Sequence, residues 1–162
     1  MSSSSSSSNC NEWVGTTECK CSRDNYEGYK IEWETHIIKD LGTIPTVFLE
    51  ALLGVATFGI SLIGHISDKP TFTHESVCIH IYCRSCERRN MYLTCELGKE
   101  GKSMKWGYNK KRVSCVRTQK LDPPVSYSII KKIFDEMWDD YHLLSRNCAD
   151  WARDFYYRII NA

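Results

Sequence analysis

Tyr141-His142-Leu143-Leu144-Ser145-Arg146-Asn147-Cys148-Ala149-Asp150-Trp151-Ala152 reads as a loop turning into a helix. Asn147 is a strong N-cap residue, and Asp150, three positions on, can reach back as the acidic partner of a capping-box-like pair. Beyond it Trp151, Ala152, Phe155, Ile159 and Ile160 recur at helical spacing. The stretch therefore predicts a last helix with Cys148 in its first turn. A thiol there feels the positive end of the helix dipole, which favours the thiolate that a nucleophile needs. The position also suits a small buried thiol that only packs, since free cysteine is among the most buried residue types. Spacing does not separate the two.

Working back from this helix, Ile129, Ile130, Ile133, Phe134, Met137, Trp138 and Tyr141 form an apolar stripe that predicts another helix from Ser126. Pro123-Pro124 closes the region before it. Further upstream Val77, Ile79 and Ile81 alternate with Cys78, His80 and Tyr82, a strand pattern. Met91, Leu93, Cys95 and Leu97 alternate with Tyr92, Thr94 and Glu96 in the same way. The polar turn between them makes an antiparallel hairpin. Gly98 to Lys102 reads as a turn, and shorter strands are expected at Met104 to Tyr108 and Arg112 to Thr118. The fold class is α+β: a small antiparallel sheet packed with C-terminal helices.

The N-terminal part is read differently. Residues 1–25 begin with a serine homopolymer, carry Cys10, Cys19 and Cys21, and are expected to be disordered. Residues 26–70 are expected to be helical. Tyr29, Trp33, Ile37 and Ile38 suggest a short amphipathic helix, followed by an apolar run from Leu41 to Ile66. Glu50 is the only Asp, Glu, Lys or Arg between Asp40 and Asp68. The run approaches the ~20 apolar residues that span a bilayer. Pro45, Gly54, Gly59 and Gly64 interrupt it, and Glu50 at a helix centre would cost roughly 3 kcal/mol on insertion. A spanning helix, an interfacial segment and a core helix compete, with membrane contact ranked above core burial. Residues 71–162 form the catalytic-type domain.

The 162 residues suffice for one sizeable core, and the net charge of +1 implies no electrostatic pull toward nucleic acid. Nine cysteines, an odd count, follow a polar start rather than a signal peptide. The expected setting is intracellular and reduced, with membrane association through the apolar run as an option. Cys83-x-x-Cys86 is the usual half of a zinc site, but no second such pair exists, and Cys19-x-Cys21 is too close for an ordinary knuckle. The reading assigns no metal and no cofactor. Phosphate-binding glycine loops, H-E-x-x-H and dinucleotide fingerprints are absent.

A cysteine nucleophile needs a base held by a third group. Of five histidines, His74 begins the first strand, where it can project from the sheet edge toward a helix end. If Tyr82 and Asn90 close the hairpin, Glu96 falls opposite Ser76, about one diagonal from His74 and in position to orient it. A one-residue slip would turn it to the other face, and a solvated strand glutamate is the competing reading.

His74-Glu75-Ser76-Val77-Cys78-Ile79 on a strand, followed by Tyr141, Leu143-Leu144 and Asn147-Cys148 with Trp151-Ala152 opening a helix, resembles the circularly permuted papain-like superfamily. It includes the lecithin:retinol acyltransferase-like proteins, the NlpC-type thiol hydrolases and the PPPDE isopeptidases. There too the histidine strand precedes the Asn-Cys helix. The resemblance runs from Thr71 to the C-terminus. It departs from the acyltransferase members at Ala149-Asp150-Trp151, where they carry Glu-His-Phe, and in lacking a tryptophan after the histidine. It implies a Cys148–His74 pair acting on an ester or amide of a lipid or peptide substrate. The competing class is a non-catalytic, membrane-associated or cysteine-rich interaction module with the same fold. The oligomeric state is unknown.

Overall fold

The computed structural model describes residues 13–38, 72–98, 100–110, 112–141 and 146–162. Among the described residues six strands form one antiparallel sheet: β1 (Trp13–Gly15), β2 (Tyr26–Ile38), β3 (Phe72–Cys83), β4 (Met91–Gly98), β5 (Gly101–Asn109) and β6 (Arg112–Ser126). Their order across the sheet is β1-β5-β4-β3-β2-β6. Two helices follow, α1 (Tyr127–Glu136) and α2 (Cys148–Ile160). The α+β expectation of a sheet with C-terminal helices holds. The apolar run Leu41 to Ile66 lies outside the described residues, and among those described no helix is long and apolar enough to cross a membrane.

The β3–β4 hairpin has the expected register. Ile81 pairs with Met91, and Ser76 with Glu96. Alternation puts Val77, Ile79 and Ile81 on one face with Leu93 and Cys95, all fully buried. Ile31 and Trp33 of β2 join this face through their pairs with Ile79 and Val77.

The amphipathic helix expected from Tyr26 is instead β2, a long strand flanked by β3 and β6. Nor is the segment before it without structure, since Trp13–Gly15 pairs with β5 and Arg23–Asn25 forms a 3-10 turn. Ile31, Trp33 and Thr35 alternate with Glu32 and Glu34, but a bulge between Gly28 and Lys30 breaks the alternation upstream. Tyr29, Trp33 and Ile37 then stand four apart and mimic a helix. Gly28 is required where it stands: a Cβ there would lie 2.9 Å from Ile79 Cγ2 and 3.1 Å from Ile130 Cδ1.

Both helices start where their caps predict. Ser126 Oγ accepts from the Ile129 N–H, and Asn147 Oδ1 accepts from those of Ala149 and Asp150. The α1 stripe outlasts its helix, because Met137 is already extended. Pro123-Pro124 lies inside β6, an edge strand, where a missing N–H does not break the sheet. Trp151, Ala152, Phe155, Tyr156 and Ile159 of α2 are buried. Trp151 stacks on Phe155 at 5.0 Å and meets Phe134 of α1 edge-on at 6.0 Å, while Tyr156 meets Trp33 at 6.1 Å. Fully burying side chains of this size is worth about 2–3 kcal/mol each, so this aromatic layer anchors α2, and with it Cys148, to the sheet.

Candidate active site

β3 and β4 pair with each other only from Ser76 to Ile81. Toward its start β3 continues to Phe72 against β2, while β4 runs on to Gly98 against β5. The sheet splits there, with His74 on one side and Glu96 on the other. His74 Nε2 and Glu96 Oε2 are 3.0 Å apart across the split. The start of α2 comes to the same place. Cys148, its first residue, is buried at 6 % exposure and close enough to His74 to favour its protonated form. The structure thus joins His74 to Glu96 directly and brings Cys148 into their neighbourhood.

Electrostatics follow from this contact. Burial alone would push the His74 imidazole down. The hydrogen bonds and charges of Cys148 and Glu96 overcome that and raise it to about 10. The bond to His74 is also the largest influence on Glu96, which is lowered to about 2 against the opposing effect of burial. The pair is thus built to hold an imidazolium. Glu96 is held in turn at Oε1, which accepts from Ser103 Oγ and Lys105 Nζ, each at 3.3 Å. Neither was picked out from the sequence. The register carried the signal: pairing Gly98 with Gly101 sets Ser103 opposite Glu96.

Asn147 is buried, and its side chain takes two of the N–H groups that a helix start leaves unpaired. The Cys148 N–H is not one of them. The Asp150 carboxylate accepts from Arg153 at 2.7 Å rather than serving as the cap's acidic partner. Tyr141 lies near the thiol: burial raises its hydroxyl, and so does charge on Cys148. Glu75, next to His74, accepts from the Trp33 indole N–H at 2.6 Å; burial raises its carboxyl.

The other described histidines serve elsewhere. His80 bonds Glu32 at 2.8 Å, and His36 meets Ser76 Oγ at 3.0 Å. His65 and His142 lie outside the described residues. Although the sequence reading assigned no metal, the Sγ atoms of Cys19, Cys21, Cys83 and Cys86 all lie within 4.8 Å of one another, at the opposite end of β3 from His74. The chain matches no family model, no curated protein and no solved structure with which it was compared.

Proposed function

We propose that the chain is a thiol-dependent hydrolase or acyltransferase of the circularly permuted papain-like kind, acting on an ester or amide of a lipid or peptide. One observation carries the reading: His74 bonds Glu96 at 3.0 Å and lies close enough to Cys148 for the thiol to raise its pKa, which fits the base–nucleophile–orienter arrangement of covalent catalysis. The Cys148 sulfur attacks the carbonyl carbon, and the oxyanion that forms takes the Cys148 N–H at the helix start. His74, carrying the thiol's proton, gives it to the departing oxygen or nitrogen as the carbon–heteroatom bond breaks. Water or an acceptor alcohol or amine then attacks the thioester, returns a proton to His74 and frees the thiol. Glu96 keeps the ring oriented throughout. A second reading, a non-catalytic module with this fold, draws on the burial of Cys148, which a substrate must overcome.

The test is acylation of the full chain by p-nitrophenyl acetate, with the modified residue located by peptide mass. The proposal expects an acetyl group on Cys148 that His74→Ala abolishes. A folded protein that acylates Cys148 no faster than its exposed thiol Cys115 sinks it.

A further inference from the structure

Cys83 closes β3, and its N–H donates to the Arg88 carbonyl at 2.9 Å. Glu87, at φ 58°, turns the chain back between them. Arg84–Cys86 forms a tight turn that brings Cys86 back beside Cys83. The pair Tyr26–Cys83 and the bond from Arg84 N–H to Asn25 O at 2.8 Å bring the segment before β2 alongside. Cys19 and Cys21 arrive on that segment. Tyr26, fully buried, donates its hydroxyl to the Cys19 carbonyl at 3.0 Å and fixes that backbone.

We propose that Cys19, Cys21, Cys83 and Cys86 bind one zinc ion as a tetrahedral four-thiolate site that staples the N-terminal segment to the β3–β4 turn. Zinc–sulfur bonds of about 2.3 Å place tetrahedral sulfurs about 3.8 Å apart, so sulfurs already within 4.8 Å need only small shifts. All four residues hold free thiols. The chain supplies four ligands and no open position, the pattern of a structural rather than a catalytic site. Binding releases the thiol protons as four Zn–S bonds form.

Two further observations point to the same ion. A zinc bound by four thiolates carries two net negative charges. Segments 18–24 and 83–89 carry Lys20, Arg23, Arg84, Arg88 and Arg89 against Glu18, Asp24 and Glu87, an excess of two positive charges. In addition, residues 16–22 have no helix or strand. They are held by polar contacts such as Thr16 Oγ1 to the Tyr92 carbonyl, Arg88 to Thr17 Oγ1, and Arg23 to Glu18. Contacts of this exposed kind contribute little each, and a metal clip would supply what packing does not.

The test measures zinc in the full chain purified under reductant, by elemental mass spectrometry. About one zinc per chain is expected, lost in Cys21→Ser and Cys86→Ser and kept in Cys115→Ser. Cobalt substitution should give the visible bands of a tetrahedral thiolate centre. Chelation should expose four further thiols to a thiol reagent and leave Cys148 acylation in place, so that failure here and failure of the catalytic reading are separable. Wild-type protein that takes up no zinc when it is supplied under reductant overturns the proposal. So does peptide mapping that finds these cysteines joined as disulfides in cells.

Discussion

In the functions proposed above, the two ends of β3 would use the same side chain for different chemistry. At one end Cys148 stands with His74 and Glu96; at the other, Cys83 stands with three more thiols and no histidine among them. A thiol beside a base is set up to lose its proton to a neighbour and attack carbon. Thiols gathered around one point are set up to lose their protons to a cation. The first is half enclosed by a split in the sheet, beside a helix start. The second sits where two irregular segments cross, with Cys86 on the surface. What surrounds the sulfur separates the roles, and neither role follows from counting cysteines.

The sharpest way to break this contrast is His74→Ala. Positioned proton transfer is worth roughly 100-fold or more, so Cys148 acylation should fall by at least that, while bound zinc should not change. Rates measured against zinc content settle it. A variant that keeps wild-type acylation would show that the thiol at the split is no different from those at the knuckle.

Glu96→Gln comes next. It leaves an acceptor for His74 but removes the charge, so acylation should fall on the order of tenfold, the worth of a charge-assisted bond. Stability should respond to pH with a definite sign. His74 is raised from 6.5 to about 10, so its contribution is fully present below about pH 6.5 and is lost as pH rises through about 10. Glu96 is lowered from 4.5 to about 2, so its contribution is present above about pH 4.5 and is lost as pH falls through about 2. Cys148 and Glu96 act on His74, Glu75 adjoins it in the chain, and His36 pairs with it from β2. Melting curves should show wild type leading His74→Ala most between about pH 4.5 and 6.5, with the lead shrinking toward pH 10. A lead that grows with pH would contradict the ion pair.

The split end of β3 could be read from the sequence because its determinants are local. Closing the hairpin at Tyr82 and Asn90 sets the register, and the register brings Glu96 to His74. Asn147 announces the helix start that delivers Cys148. The knuckle end could not be read in the same way. Its two cysteine pairs are more than sixty positions apart, and the pairing of Tyr26 with Cys83 at the start of β2 brings them together. That pairing was hidden once the bulge at Gly28–Lys30 made β2 resemble a helix. Ser103 and Lys105 are obscured for a related reason: Gly98 to Lys102 reads as a turn, and β5 already begins inside it at Gly101.

Asn147→Ala probes the helix start. Removing an N-cap costs about 1 kcal/mol of stability, and here it leaves the N–H groups of Ala149 and Asp150 without their acceptor. The same free energy would slow acylation only about fivefold. If the cap also steadies the sulfur and the Cys148 N–H, the rate should fall by more than that while the melting temperature drops by only a few degrees. A proportional loss of both would reduce Asn147 to a stabilising cap. Asp150→Asn is the control: it removes a favourable charge at the helix start and should lower stability slightly, yet spare the rate.

Lys105→Met should do least, and it tests whether Glu96 is set by His74 or by its outer neighbour. Lys105 Nζ reaches Glu96 Oε1 at 3.3 Å from a side chain 59 % exposed. Exposed pairs of this kind contribute about 0–1 kcal/mol. Among the influences that lower Glu96, the hydrogen bond and charge of His74 precede those of Lys105. Without Lys105, Ser103 still donates to the same oxygen, and the bond across the split is untouched. Acylation should therefore stay within about fivefold of wild type, the rate equivalent of about 1 kcal/mol. High salt, which screens an exposed pair, should erase even that difference. A loss as large as that of Glu96→Gln would mean that the carboxylate is placed from β5, and that the site extends one strand further than the His74–Glu96 pair.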